Sequence, residues 1–416
     1  MDMSFKNLVL ICNNYPLTEG EFFISDELRI IAKYFDNIYV FIHDQKKSYN
    51  SHYLPTNAII IKYPPPHTKI RIVDLLRIFS MGLLYYEIFT AVFRNRKKIN
   101  ALLLKVIIKD LINALHVMFE LEKFIKNRNI SLRETIFYSY WHDFKSLSLV
   151  FLKRKYNAAR FISRAHGWDV FFERHKINYI PYKNTIIPSL DHTFSVSDAG
   201  RDAFMKYTRG KFPEKISVSR LGTINPNKPK IYKTTNGFHL CSCSSIISLK
   251  RIDLIIDLLN RIKLSNVFWT HFGSGPLLQN MKRIAEERLT NLQFSFNGLV
   301  ANESIIKFYR DNYIDLFINL SISEGIPVSI MEALSAGIPV VGLNTGGMKE
   351  IVNNEIGFLY PYDTPISIIS NEMERYLTES RLKQQIKRAS AFAFWEKYYN
   401  AEKNYVSFYN KISTLA

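Results

Sequence analysis

Cysteine is scarce in this chain: three residues in 416, Cys12, Cys241 and Cys243. An odd number in apolar, strand-like surroundings excludes a disulfide framework and fits reduced thiols in a cytoplasmic protein. No metal-ligand spacing is present, so no metal site is expected. Long apolar runs are also missing. The nearest to a membrane span, residues 79–93, is about half polar or short and contains Glu87. The opening residues carry too short an apolar run for a signal peptide and lead straight into a strand. The expectation is a cytoplasmic protein, soluble or peripheral at the inner membrane face. Internal repeats and low-complexity segments are absent too. Acidic residues are in deficit, 37 against 55 Lys and Arg, for a net charge of +18. That balance calls for an anionic partner: nucleic acid, anionic lipid or a sugar diphosphate. Nothing resembles a zinc finger, an RNA-recognition signature or a basic heptad region, so no nucleic-acid partner is expected.

What is there describes a globular protein: 47% hydrophobic and 22% charged residues, with 30 Phe and 24 Tyr. The length is too great for one core and suits two domains.

The chain is organised around residues 314–347, IDLFINLSISEGIPVSIMEALSAGIPVVGLNTGG. A buried strand is expected over 315–320, a polar turn over 321–325, a helix over 327–336 and a second parallel strand over 338–343. Pro327 suits the first helical position and Gly337 a left-handed stop. A polar turn at the carboxyl end of such a strand is where ligands sit in open α/β sheets. Glu324 lies in that turn. Glu332 lies inside an otherwise apolar helix, where a carboxylate needs partners, and helical side chains lean toward the N-terminus and hence the turn. A vicinal diol such as a ribose would satisfy one carboxylate. Backbone amides of Gly325, Ile326, Pro327's neighbour Val328 and the helix N-terminus suit hydroxyls and phosphates. The plainer alternative has Glu324 capping the helix and Glu332 paired with a lysine.

The full wording of this stretch resembles the donor-binding core of family 4 glycosyltransferases, with its two glutamates eight residues apart. Ser323, Glu324, Gly325, Pro327, Glu332, Ala333, Ala336, Gly337, Pro339, Gly346, Gly347 and Glu350 all match. The resemblance implies an α/β chain of GT-B fold, two Rossmann-like domains facing an interdomain cleft. It also implies a retaining enzyme that uses nucleoside diphosphate sugars, the first glutamate contacting the donor sugar and the second the ribose.

Residues 7–13, 37–43, 135–140, 160–165, 191–197 and 216–221 read as strands of the first domain. Residues 55–69 read as a Pro-rich connection. Residues 70–127 read as a helical insertion that lines an acceptor site, lies on a membrane through a basic aromatic face, or simply adds core helices with solvated lysines. The loop after the first strand offers one glycine, Gly20, where related enzymes approach the donor diphosphate and acceptor. With Pro16, Glu21, Phe23 and Glu27-Leu28, that loop looks like a bacterial branch of the family. His166, in the wording R-A-H-G-x-D, matches a histidine near the donor sugar and its diphosphate, with a positional and electrostatic role.

In the second domain, Lys250 falls on the family's phosphate-binding lysine and is a sound point charge for phosphate. Ser245 falls where the family has an arginine, and Arg251 is the adjacent candidate to replace it. Gly273 and Gly275 match the family's H-x-G-x-G-P turn, and Gly298 with Leu299 the base pocket. The domains expected are 1–222, 223–391 and a C-terminal helix, 392–416, returning to the first.

Together these imply a metal-independent hexosyltransferase with a UDP- or GDP-sugar donor and no cofactor. The acceptor would be a cell-surface glycan or lipid-linked glycan, with peripheral contact to an anionic membrane. An epimerase or phosphorylase of the same fold, or a non-catalytic glycan-binding scaffold, are the alternatives.

Overall fold

The computed structural model describes residues 5–17, 21–43, 53–65, 78–225 and 237–415. The chain divides into two compact units, residues 1–220 with 405–416, and residues 221–404. In the first, β1 (Asn7–Ile11), β2 (Asn37–His43), β3 (Ala58–Tyr63), β4 (Thr135–Ser139), β5 (Arg160–Ala165), β6 (His192–Ser195) and β7 (Ile216–Val218) form a parallel sheet ordered β3-β2-β1-β4-β5-β6-β7. Every residue of β1 and β4 is buried, because crossover helices cover both faces of a parallel sheet.

The edge strand β3 falls where a Pro-rich connection was expected. Its prolines lie outside the strand, at Pro55 and Pro64, and Ala58–Tyr63 is half-exposed or exposed up to the buried Tyr63. An edge strand tolerates that pattern. The helical insertion is also interrupted. Helix Gly82–Phe89 continues as a π-helical turn, Thr90–Arg94, and residues 95–100 are not helical. Arg96 takes a left-handed φ of 52° there. Asn100 then starts the long helix Ala101–Arg128 by accepting from the Leu103 amide at 2.8 Å, a side-chain N-cap.

Buried charge pins this unit together. Arg164 on β5 pairs with Glu27 at 2.7 Å, both at most 1% exposed. Its guanidinium stacks on Phe408 at 4.2 Å. Tyr409 stacks on Tyr34 with ring centres 3.9 Å apart. Residues 405–416 thus belong to the first unit, whereas residues 392–404 belong to the second, where Trp395 Nε1 donates to Thr223 Oγ1 at 2.9 Å.

The second unit has β8 (Phe238–Cys243), β9 (Val267–Phe272), β10 (Gln293–Phe296), β11 (Leu316–Asn319), β12 (Val340–Leu343) and β13 (Gly357–Tyr360), all parallel, in the order β10-β9-β8-β11-β12-β13. Its core gathers around Trp269, fully buried among Leu240, Ile256, Leu316 and Met281. Strand order reverses between β8 and β11 here, and between β1 and β4 in the first unit. Such switch points open a crevice at the carboxyl ends of the strands.

Candidate active site

The loops leaving β8, β9, β10, β11 and β12 are stitched to one another by backbone bonds. Ile322 N–H donates to Leu249 O at 2.9 Å, joining the β11 and β8 loops. Ser244 N–H donates to Phe272 O and Ile246 N–H to Ser274 O, both at 2.9 Å, joining β8 to β9. Gly273 N–H donates to Gly298 O at 2.8 Å, joining β9 to β10. Glycines make these approaches feasible. A Cβ at Gly273 would lie 1.8 Å from Ser244 O, one at Gly346 2.1 Å from Glu324 O, and one at Gly347 1.9 Å from Gly325 O. The Gly346-Gly347 pair therefore lets the β12 loop press against the Glu324-Gly325 turn, where Gly347 N–H donates to Glu324 O at 3.1 Å.

Two carboxylates face this framework from different depths. Lys250, at the end of the short turn Ser248–Lys250, donates from Nζ to Glu324 Oε1 at 2.6 Å. Glu324 is buried, and Asn319 Nδ2 reaches the same oxygen at 3.4 Å. Glu332, on helix Val328–Ser335, is 3% exposed and accepts from Asn302 Nδ2 at 2.5 Å. Burial first, and then the Glu332 charge, push the Cys243 thiol at the end of β8 well up, so it stays protonated. The helix Val328–Ser335 has no side-chain N-cap bond. Glu324 therefore does not cap it, and the Ile330 N–H donates to Pro327 O at 3.1 Å. Pro327 takes an extended conformation at the N-cap, with Ile326 buried and Gly325 and Val328 half-buried.

Ser245 is exposed, whereas Arg251 sits at φ 51° and turns its Nε to Asp253, 3.2 Å away. The structure thus brings Lys250, and not Arg251, to Glu324. Gly298 has φ 67° with open space where a Cβ would be, and Leu299 is exposed. Gly275 packs its Cα under the Ile246 carbonyl, where a Cβ would come within 2.5 Å of oxygen. His271, before these glycines, is fully buried and shares a hydrogen bond of 2.8 Å with Ser242 Oγ. Burial holds its pKa down at about 4, so it is a neutral framework residue.

In the first unit, His166 lies at the end of β5, with its ring 4.6 Å from that of Trp141 and 5.0 Å from that of Tyr140. Its backbone N–H donates to Asp169 Oδ1 at 2.6 Å, and the other oxygen of Asp169 takes the His142 N–H at 2.7 Å. Burial opposes the Asp169 charge, yet His166, Lys183 and the His142 amide hold its pKa well below the carboxylate range. Asp169 therefore fixes where His166 stands. Gly20 lies outside the described residues.

One residue of this edge was given no role by sequence reasoning. Glu21 is 2% exposed and accepts from the amides of Asn13, Asn14 and Tyr15 at 2.7–3.2 Å, and from Trp141 Nε1. It locks the loop after β1 to the end of β4. Among the described residues, no cluster of three His, Cys, Asp or Glu side chains could hold a metal ion. No described helix is long and apolar enough to cross a membrane.

Residues 224–391 match the family model described as Glycosyl transferases group 1. The chain is 26% identical over 211 residues to WcaL of Escherichia coli (strain K12), which carries the name of a colanic acid biosynthesis glycosyltransferase; the match covers 47% of this chain and 50% of WcaL. The chain spans half or less of the length of the curated relatives it matches. Its fold follows that of the lipopolysaccharide outer core galactosyltransferase WaaB, with TM-score 0.67 and 13% identity, covering 98% of this chain and 99% of WaaB. It likewise follows Anabaena Alr3699/HepE, solved with UDP and glucose, with TM-score 0.64 and 13% identity over 98% of this chain and all of HepE. A Rossmann-like parallel sheet in each of two units is the GT-B architecture of these glycosyltransferases.

Proposed function

We propose that this chain, whose residues 224–391 form a group 1 glycosyltransferase domain, is a retaining, metal-independent hexosyltransferase of the family 4 type. It would move a sugar from a nucleoside diphosphate, UDP or GDP, to a hydroxyl of a growing cell-surface glycan. The observation that carries this reading is the Lys250–Glu324 pair at the β8/β11 switch point, with Glu332 buried on the helix that follows the Glu324 turn. HepE's bound UDP favours a UDP donor, and the name of WcaL favours a polysaccharide acceptor.

Glu332 would take the ribose diol, and the backbone amides of Gly325, Ile326 and Val328 the sugar hydroxyls. Gly298 and Leu299, with Gly273 and Gly275, would shape the base and diphosphate pocket. Departure of the diphosphate needs charge placed where the leaving oxygen develops it, which is the largest lever such a site has. Lys250 supplies that charge, with Ser245, exposed on the same loop after β8, as a hydroxyl donor; Arg251 joins if it leaves Asp253. His166 has a positional and electrostatic role. Double displacement needs a nucleophilic carboxylate under the anomeric carbon. The route we assign is instead front-face attack, the leaving phosphate taking the acceptor proton, with Glu324 contacting the donor sugar's hydroxyls. The protein would work at the cytoplasmic membrane face, where lipid-linked acceptors are met.

The test is the product. Incubation with nucleotide sugars and glycan acceptors should give a new glycosidic bond of the donor's own anomeric configuration by proton NMR, with EDTA leaving the rate unchanged. An inverted linkage would overturn the mechanism. Free epimerised or hydrolysed sugar, with or without acceptor, would replace transfer by epimerase chemistry.

A further inference from the structure

The helix Gly82–Phe89 and the turn Thr90–Arg94 that continues it place their one acid inward and their aromatics outward. Leu84, Glu87 and Ala91 are buried, Glu87 completely. Its carboxylate accepts from the Tyr179 hydroxyl at 2.6 Å and the Tyr182 amide at 2.8 Å, anchoring the helix to the first unit. Tyr85, Phe89 and Phe93, four residues apart and on one face, point to solvent. With Phe79, Ile99 and Leu102 they are 48–71% exposed. The Phe89 and Phe93 ring centres are 4.8 Å apart, so these rings pack on each other at the surface. Soluble monomers seldom leave so many large apolar side chains open along one short segment.

The charge around it has one sign. Arg94, Arg96, Lys98, Lys105 and Lys109 are exposed, and residues 79–109 contain a single acid, the buried Glu87. Arg94 lies over the Tyr86 ring at 5.7 Å with Nη1 3.4 Å from its hydroxyl, a cation carried on an aromatic. A protein partner buries aromatics but has no general need for the exposed cations Arg94, Arg96, Lys98 and Lys105. A bilayer needs both: rings at the acyl boundary and cations at anionic headgroups.

We propose that the surface formed by Gly82–Phe89, Thr90–Arg94 and the start of Ala101–Arg128 is the docking face of this protein on an anionic bilayer. It gives the membrane association of the functional reading a place in the fold. Its test reads binding alone, so it stands or falls apart from transferase activity.

The experiment is co-sedimentation of the full chain with vesicles of phosphatidylcholine, with and without phosphatidylglycerol, across a salt series. Wild type should pellet with the anionic vesicles and be released by salt. Phe89→Ser with Phe93→Ser should abolish binding while circular dichroism stays unchanged. Lys98→Gln with Lys105→Gln should weaken the partition roughly thirty-fold. Wild type remaining in the supernatant, or the serine variant binding as wild type does, would overturn the proposal. So would a dimer, seen by sedimentation equilibrium, that the serine variant dissolves.

Discussion

Lys250 Nζ stands 2.6 Å from Glu324 Oε1, tying the loop after β8 to the loop after β11 across the point where strand order reverses. The two residues are 74 positions apart, and each is the other's counter-charge before any ligand arrives. A diphosphate entering the crevice would compete for the lysine and release the carboxylate toward sugar hydroxyls. Lys250→Ala should therefore lower kcat about 10²–10³-fold, the usual cost of removing one donor to a developing anion. Steady-state kinetics checks this, and a change confined to KM would assign the lysine to uniform binding instead.

Gly347→Ala tests the stitching of the site. The new Cβ would sit 1.9 Å from Gly325 O, a backbone atom that has to move. The expected result is a loss of about 1–3 kcal/mol in stability together with weaker donor binding, measured by thermal unfolding and calorimetry. Gly82→Ala, where nothing lies within 4 Å, is the control and should leave donor binding unchanged without lowering stability.

Arg164→Leu should be far more damaging than an ordinary substitution, because it strands the buried Glu27 charge. Breaking such a pair costs about 3–5 kcal/mol, and replacing both partners recovers much of it. Thermal unfolding should show a large fall in Tm for Arg164→Leu and partial recovery in the double variant with Glu27→Gln.

Glu87 sets a pH dependence for the first unit. Burial raises its pKa to about 7, against the lowering effects of Tyr179, Tyr182 and Lys183. The folded state thus holds a proton that the unfolded chain releases near pH 4.5. Stability should fall as pH rises from about 4.5 to about 7 and stay reduced above that. Glu87→Gln, which keeps an oxygen acceptor for Tyr179 and Tyr182, should raise Tm relative to wild type more at pH 8 than at pH 5. An equal shift at both values would contradict the assignment.

Much of the second unit was legible in the sequence because its site is local. Residues 314–347 carry a strand, a turn, a helix and a second strand, and the glycines that close the turn lie within that stretch. Lys250 was placed by its register against the same motif. Three features were not legible. Glu21 acts on backbone amides of residues 13–15, which have no sequence signature. The strand β3 was hidden by flanking prolines, and its half-exposed pattern gives no clear period. Arg251 turns its Nε to Asp253 from a left-handed backbone, an orientation that the sequence does not reveal. Only the fold decides which way an adjacent cation points.

The most direct test of the account is calorimetric titration of UDP and GDP into wild type and Glu332→Ala. One nucleotide should bind wild type, and its affinity should drop about tenfold or more in Glu332→Ala as the ribose loses a charged hydrogen-bond acceptor. Equal binding by both proteins would remove Glu332 from the ribose, and no binding by folded wild type would contradict the nucleotide-sugar site itself.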